Sequence, residues 1–299
     1  MNPSESAKTW LITGCSTGFG RELARRVLDR GDRCVVTARD ESSIAEFAKR
    51  FPKTAYVVSL DVTDADGRER VVKLAESACG GVDVLVNNAG HGYLAAIEEG
   101  EDEEIRAMFE TNFFGLAALT RRVLPGMRAR RRGHIVNISS VGGLIGNPAS
   151  GYYCASKFAV EGLSEALSKE VGPLGIHVTI VEPGPFRTDF QGRSIHGTKH
   201  AIDDYAQTVA ARRQQLKSSD GRQPGDPVRA ADAIVAAVEA SAPPLHLVLG
   251  GVGVERVRDK LTSFLRSMDE WDAVSRGADF PEGGFIVDAN PGAKIAAKP

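Results

Sequence analysis

Short apolar runs alternate with longer amphipathic stretches along most of this chain, and that alternation limits its fold more than any other feature. The apolar runs, such as residues 34–37 and 134–138, are typical of strands. Their nearly continuous apolar character indicates strands that helices cover on both faces. The pattern predicts an α/β fold with about seven strands in a doubly wound, Rossmann-type parallel sheet, with helices on both faces and in a single domain.

The predicted domain occupies residues 1–250, and residues 251–299 are predicted to form a helical extension and a loose tail. Strands are predicted at residues 10–13, 34–37, 55–60, 82–86, 134–138, 176–181 and 245–249. Helices are predicted at residues 21–30, 64–79, 103–131, 151–171, 228–241 and 254–276, and Ser42 or Ser43 is predicted to cap a shorter helix that ends near Pro52. A polar stretch at residues 186–227 interrupts the pattern. Because long excursions are usually functional or disordered, it is predicted to close over a substrate.

Composition excludes several classes of protein. The 299 residues are 42% hydrophobic and 25% charged, with a formal net charge of −2, so neither nucleic acid nor a membrane is an expected partner. The chain shows no signal peptide and no apolar run of spanning length, which favours a cytoplasmic protein. The four cysteines lack the spacing of metal ligands, and a chain of this size needs no disulfide framework, so no metal site is predicted.

A glycine-rich turn follows the first predicted strand, over residues 13–20. Such a turn between strand and helix directs backbone N–H groups and the positive end of the helix at a phosphate. Its glycines permit the tight turn, the approach of a pyrophosphate and close packing of helix on strand. The cofactor-binding residues predicted here are Gly14, Ser16, Thr17, Gly18, Phe19 and Gly20.

The end of the second predicted strand indicates which nicotinamide cofactor is bound. An acidic residue there would bind the ribose 2′-hydroxyl of NAD, whereas an arginine accommodates a 2′-phosphate. Ala38 occupies the position of the acid and Arg39 follows it, so NADP(H) is predicted, with NAD(H) as the weaker alternative. In that alternative, Asp40 binds the ribose and Arg39 is a solvated loop cation.

Two further strand ends carry candidate cofactor contacts. Asp61 and Val62 follow the third predicted strand, where a carboxylate can accept a hydrogen bond from an adenine amino group. Asp61 could instead only cap a turn. The fourth predicted strand ends in residues 87–90, whose amides and glycine suit a tight turn beneath the cofactor and also suit a purely structural tie between strands. The residues predicted to touch cofactor there are Asn88, Ala89 and Gly90.

Tyr153 and Lys157 lie four residues apart within a predicted helix, so their side chains share one face. A phenol has a reference pKa of about 10, and a nearby ammonium favours the phenolate and lowers that pKa. The pair can therefore donate or accept a proton near neutral pH. Ser140 precedes Tyr153 by 13 residues, and the glycine turn opens the same chain.

With the glycine turn, residues 87–90, Ser140 and the Tyr153/Lys157 pair, residues 8–250 resemble the short-chain dehydrogenase/reductase family, in its shorter single-domain form. The resemblance implies that Tyr153 is the general acid/base, that Lys157 lowers its pKa and binds the nicotinamide ribose, and that Ser140 binds the carbonyl oxygen. It implies a structural role for the neighbouring Ser139. Asn112 resembles the helix asparagine that holds a water molecule in a proton relay, or is a polar residue satisfied within its helix.

The resemblance also extends to residues beyond the sixth predicted strand and to assembly. It implies a Pro-Gly turn beside the nicotinamide, with contacts from Pro183, Gly184, Phe186 and Thr188. It further implies a homodimer or homotetramer built through the helices at residues 103–131 and 151–171. Glu182 receives no role, His91 is expected near the mouth of the active site, and Cys154 is expected to point away from it.

The predicted function is that of an NADP(H)-dependent oxidoreductase that interconverts a ketone or aldehyde and an alcohol. Its strand end and substrate loop resemble those of members acting on hydrophobic carbonyls such as steroids and retinoids. His196, His200 and the arginines of the loop leave a polar or anionic substrate open. Two alternatives are a dinucleotide sensor without catalysis and an epimerase that uses the same tyrosine.

Overall fold

The computed structural model describes residues 7–280, and its centre is a sheet of seven parallel strands in the order β3-β2-β1-β4-β6-β7-β9. The predicted doubly wound parallel sheet is thereby confirmed. Two short strands, β5 and β8, pair with each other outside this sheet. The strands are β1 (Thr9–Ile12), β2 (Arg33–Ala38), β3 (Ala55–Ser59), β4 (Val84–Asn87), β5 (Gly92–Leu94), β6 (Gly133–Ile138), β7 (Ile176–Pro183), β8 (Ile195–Gly197) and β9 (His246–Leu249).

Helices cover both faces of the sheet, as the apolar strands require. The α-helices are α1 (Gly18–Asp29), α2 (Ala45–Arg50), α3 (Ala65–Cys79), α4 (Asp102–Phe109), α5 (Leu116–Arg130), α6 (Gly151–Val171), α7 (Phe190–Arg193), α8 (Ala211–Ser218), α9 (Pro227–Glu239), α10 (Gly251–Glu270) and α11 (Asp272–Arg276). Helices α1 and α9 contribute to one core cluster, and α3, α5 and α6 contribute to the other. Successive strand residues alternate between the two clusters, with Trp10 in the first and Leu11 in the second.

The strand order reverses beside β1, and this reversal positions the functional residues. The chain runs outward from β1 through β2 to β3 and then returns to the other side of β1 with β4. In open α/β sheets, ligands bind at such a switch point, in the crevice beyond the carboxyl ends of the strands. The segments that leave β1, β2, β4, β6 and β7 at that edge carry most of the predicted site residues.

Two predicted helix features are wrong. The helix predicted at residues 103–131 is interrupted by a π-helical turn at Glu110–Gly115 between α4 and α5. Such turns insert an extra residue and often lie at functional sites. The cap predicted at Ser42 or Ser43 is Asp40, whose carboxylate accepts from the Ser42 N–H at 2.9 Å and begins a short 3-10 turn before α2.

The polar stretch at residues 186–227 is more regular than a loop. It contains α7, β8 and α8, and β8 pairs in parallel with β5. Hydrophobic periodicity did not indicate these elements because they are short and mostly exposed. The stretch is therefore a small folded layer beside the carboxyl edge of the sheet.

The described chain divides into two compact units, of which the larger ends at Val257 and the second begins at Arg258. The predicted helix at residues 254–276 corresponds to most of α10 followed by α11. The predicted loose tail lies outside the described residues. Among residues 7–280, no helix is both long and apolar enough to cross a membrane.

Candidate active site

The glycine turn forms a cradle in which side chains would not fit. Gly14 and Gly18 have φ values of +70° and +59°, in the left-handed region that favours glycine. A Cβ at Gly20 would lie 2.5 Å from the carbonyl oxygen of Gly14 and 2.5 Å from Nδ2 of Asn88. Helix α1 begins at Gly18, and Thr17 before it makes no side-chain capping bond, so the first N–H groups of the helix are available to a phosphate.

Asn88 and Thr13 lock this turn to the end of β4. The Thr13 hydroxyl oxygen accepts from the backbone N–H groups of Asn88 and Ala89, each at 2.9 Å. Asn88 Nδ2 donates to the carbonyl oxygens of Thr13 at 2.8 Å and Gly14 at 3.0 Å. The side chain of Asn88 is therefore occupied in holding the turn, which favours the structural interpretation of its motif.

Arg39 and Asp40, at the end of β2, differ in their availability. The Asp40 carboxylate accepts from the N–H and the hydroxyl of Ser42, both at 2.9 Å, and these bonds lower the pKa of Asp40. Arg39 instead lines the cavity at the carboxyl edge of the sheet. Nearby, Asp61 accepts from the N–H of Thr63 at 2.9 Å and from its hydroxyl at 2.8 Å, so it caps a turn while also lining the cavity.

Ser140 and Tyr153 approach the same point from different elements. Measured from the position of a Cβ built on Gly142, Ser140 Oγ lies at 3.3 Å and Tyr153 Cε1 at 3.4 Å. Ser140 Oγ accepts from the N–H of Gly142 at 3.0 Å, which leaves the Ser140 O–H free to donate into the cavity. The Ser140 hydroxyl and the Tyr153 ring therefore lie against the same residue, Gly142, and all three residues line the cavity.

Lys157 lies one helical turn beyond Tyr153 and is buried. Its Nζ donates to the carbonyl oxygen of Ile138 at 2.8 Å and lies 5.9 Å from the centre of the Tyr153 ring. Burial lowers the pKa of Lys157 to about 8 and raises the pKa of Tyr153 to about 12, while the Ser140 hydroxyl acts to lower the latter. Burial is the largest influence on the phenol pKa in this structure, and the lowering of that pKa by Lys157 stays a prediction.

Asn112 lies in the π-helical turn and is 1% exposed. Its Oδ1 accepts from the backbone N–H of His91 at 2.9 Å, and its Nδ2 donates to the carbonyl oxygen of His91 at 2.9 Å and to Ser156 Oγ at 3.2 Å. The hydrogen-bonding groups of the Asn112 side chain are thus satisfied by residues of other elements. The interpretation that they are satisfied within the helix of Asn112 is therefore wrong. Asn112 fixes the segment after Gly90, and its role in a proton relay stays a prediction.

Most of the predicted site residues line one cavity of about 1040 Å³. The cavity extends from the glycine turn past Tyr153 to residues on α8 and α10. Gly20 and Asn112 are not among the residues of the described chain that line it. The predicted residues that do line it are Gly14, Ser16, Thr17, Gly18, Phe19, Arg39, Asp61, Val62, Asn88, Ala89, Gly90, Ser140, Tyr153, Lys157, Pro183, Gly184, Phe186 and Thr188.

Several cavity residues were missed or misplaced from the sequence. Cys154 was expected to point away, but its Sγ lies 3.5 Å from the same Gly142 Cβ position and it lines the cavity. His91 lines it as expected, with its ring centre 6.0 Å from that of His196. Arg212 and Arg256 also line it, and no local motif marks either one because distant helices bring them there.

A second group of ionisable side chains lies behind the Ser140 wall. The Ser139 hydroxyl donates to Glu161 Oε1, in keeping with a structural role. His246 Nδ1 lies 2.7 Å from Glu182 Oε1 and 3.9 Å from Glu161 Oε2, and one ligand-type atom from each of these three residues lies within 4.8 Å of the others. Sequence reasoning assigned Glu182 no role. The three residues lie on α6, β7 and β9, which are distant in the chain, so no local motif indicated the group.

Comparison with known proteins places the chain in a family. The model of the short chain dehydrogenase family matches residues 8–199. A solved short-chain dehydrogenase from Streptomyces avermitilis is similar with a TM-score of 0.87 and 44% identity, over 92% of this chain and 100% of that one. The oxidoreductase BOA17 of Botryotinia fuckeliana is 34% identical over 90% of this chain and 98% of its own length. A 3-ketodihydrosphingosine reductase of Bacteroides thetaiotaomicron is 39% identical over 80% of this chain and 87% of its own length. This chain therefore belongs to the short-chain dehydrogenase family and is an oxidoreductase.

Proposed function

We propose that this protein is an NADP(H)-dependent reductase of ketones or aldehydes, able to run in reverse as an alcohol dehydrogenase. The observation that carries the proposal is the approach of the Ser140 hydroxyl and the Tyr153 phenol to one wall of a cavity that begins at a glycine cradle. The Bacteroides relative, named for the reduction of a ketone, supports the same direction.

The residues of the cradle fit a dinucleotide cofactor. Glycines leave room for a pyrophosphate against the first turn of α1, and Thr188, whose Cβ lies 3.4 Å from the Cβ position of Gly18, closes the opposite side. Arg39 lines the cavity, whereas the Asp40 carboxylate is hydrogen-bonded to Ser42. This difference favours a 2′-phosphate over a free ribose hydroxyl, and hence NADP(H) over NAD(H).

The chain's own residues account for the rest of the reaction. When bound, NADPH supplies a hydride to the carbonyl carbon of the substrate. As negative charge grows on the carbonyl oxygen, Ser140 donates a hydrogen bond to it and Tyr153 donates its proton. Each such donor is typically worth about 3 kcal/mol of transition-state stabilisation. Lys157 keeps N–H groups beyond the one given to Ile138, and these can bind a ribose hydroxyl and stabilise the phenolate.

Substituting Tyr153 by phenylalanine tests this proposal. Tyr153→Phe removes the proton donor and leaves the ring packing, so turnover should fall by about 100-fold or more while NADPH still binds. The measurements are NADPH oxidation with a panel of aldehydes, diketones, steroids and aryl ketones, and NADPH fluorescence on binding. Wild-type protein that binds NADPH but reduces no carbonyl would favour the sensor, and interconversion of epimers without net cofactor oxidation would favour the epimerase.

We further propose that the protein forms a homodimer or homotetramer through α5 with its preceding π-helical turn and through α6. Phe114 and Phe158 on these elements are 52% and 46% exposed, which is high for phenylalanine. Sedimentation velocity should show a species larger than the monomer, and Phe158→Glu should shift it toward the monomer. A wild-type monomer at micromolar concentration would contradict this assembly.

A further inference from the structure

The substrate end of the cavity carries two arginines from separate helices. Arg212 on α8 and Arg256 on α10 both line it. The Arg256 guanidinium donates to Asn147 Oδ1, and Asn147 Nδ2 lies 3.9 Å from the Sγ of Cys154. Since Cys154 directly follows Tyr153, these contacts connect Arg256 to the segment of α6 that carries the proposed proton donor.

Each of the two guanidinium groups has a neutral hydrogen-bond partner. Arg212 Nη1 donates to Gln215 Oε1 at 2.8 Å, and Arg256 donates to the Asn147 amide. Burial, and then the charge of Arg256, lower the pKa of Arg212, as expected for two cations that line one partly desolvated cavity. Within residues 7–280, neither guanidinium forms an ion pair with a carboxylate.

The lining of the cavity as a whole carries more positively than negatively charged side chains. The acidic residues among its described lining are Asp61, which is bonded to Thr63 at the cofactor end, and Glu104. The basic residues of the lining are Arg39, Lys157, Arg193, Arg212, Arg222 and Arg256. Clefts lined by one sign of charge concentrate ligands of the other sign. An anion between Arg212 and Arg256 would relieve the repulsion that the two groups otherwise bear.

We propose that the carbonyl substrate carries an anionic group, such as a carboxylate, that binds to Arg212 and Arg256 while its carbonyl oxygen lies against Ser140 and Tyr153. This inference rests on the proposed reductase function and names the substrate class of the same site. Guanidinium groups bind carboxylates through charge-assisted hydrogen bonds with fixed geometry. The neutral hydrophobic carbonyls suggested by family resemblance would offer neither guanidinium group an ionic partner.

Matched pairs of keto acids and their methyl esters, such as 4-acetylbenzoate and its ester, separate charge from shape. For wild-type protein with NADPH, kcat/KM for the acid should exceed that for the ester by about 10- to 100-fold, the usual range for a hydrogen bond to a charged group. Arg212→Gln and Arg256→Gln should each reduce that ratio by about the same factor. Arg258→Gln is the matched control, because Arg258 lies two residues away on α10 and is exposed. NADPH binding and thermal melting show whether each variant is folded.

The outcomes distinguish failure of this inference from failure of the proposed function. Carbonyl turnover without preference for the acid, or a preference that both variants retain, would overturn the anion site and leave the reductase intact. If no carbonyl is reduced, the reductase proposal fails, and calorimetric titration of the enzyme–NADPH complex with 4-tert-butylbenzoate decides the anion site. Binding that is lost in Arg212→Gln and Arg256→Gln but kept in Arg258→Gln supports it, and absence of binding overturns it.

Discussion

Among single residues, Arg39 is the one on which cofactor choice depends. Arg39 lines the cavity, while the Asp40 carboxylate is held by Ser42. Arg39→Gln should raise KM for NADPH by about 10- to 100-fold, because a charge-assisted contact to the 2′-phosphate is lost. KM for NADH should change little, so each cofactor serves as the control for the other in steady-state assays. An equal increase for both cofactors would assign Arg39 to a general role in the groove.

Local motifs predicted the residues of the site where neighbours in sequence are also neighbours in space. The glycine turn and the Tyr153/Lys157 pair are of this kind, since a turn and one helical face define them. Arg256 is not, because it meets Asn147 across 109 residues of chain. Local spacing also does not determine the phenol pKa: it brings Lys157 near Tyr153, but burial of the phenol, which raises that pKa, depends on the whole cavity.

Among elements, α3 is begun by a single capping residue. The Asp64 carboxylate accepts from the N–H groups of Asp66 at 3.1 Å and Gly67 at 3.0 Å. Asp64→Ala should lower the free energy of unfolding by about 1 kcal/mol, the usual effect of losing such a cap, as measured in urea. Asp66→Ala is the matched control, since it removes a carboxylate from the same turn without removing the cap. Equal losses in both variants would indicate a general charge effect at the helix end.

Elements with a strong period were predicted well, and short or irregular ones were not. Helix α6 begins and ends at the predicted residues because its apolar positions continue through the whole element. The π-helical turn before α5 has no periodic signature, and Asn112 within it is satisfied by contacts to His91 and Ser156. Strands β5 and β8 have three residues each and depend on pairing across about 100 residues of chain.

At the scale of the whole molecule, the buried group behind Ser140 couples stability to pH. Glu161 and Glu182 are 4% and 0% exposed, and each has one carboxylate oxygen without a hydrogen-bond partner in the described chain. Burial raises the pKa of Glu161 to about 7 and also raises that of Glu182. The hydroxyl of Ser139 and the charges of His246 and Lys157 lower the pKa of Glu161, while the charge of Glu182 raises it.

The direction in which pH changes the free energy of unfolding follows from the proton that Glu161 retains in the folded protein. Well below pH 4.5, Glu161 is protonated in both states and its titration does not change the free energy of unfolding. Between about pH 4.5 and 7 the unfolded chain releases this proton while the folded protein retains it, so the free energy of unfolding falls as pH rises. Above about pH 7 Glu161 is ionised in both states, so the free energy of unfolding stays at its lowered value.

Glu161→Gln should therefore stabilise the protein at high pH relative to its effect at low pH. Glutamine keeps an oxygen for the Ser139 hydroxyl and adds an N–H donor for the unpartnered oxygen of Glu182. Its advantage over wild type in urea unfolding should grow by about 2 kcal/mol between about pH 5 and pH 8. Glu165→Gln is the control, because Glu165 lies on the same helix with its side chain 48% exposed. An advantage of Glu161→Gln that stays constant across this range would show that Glu161 is already ionised at low pH in the folded protein.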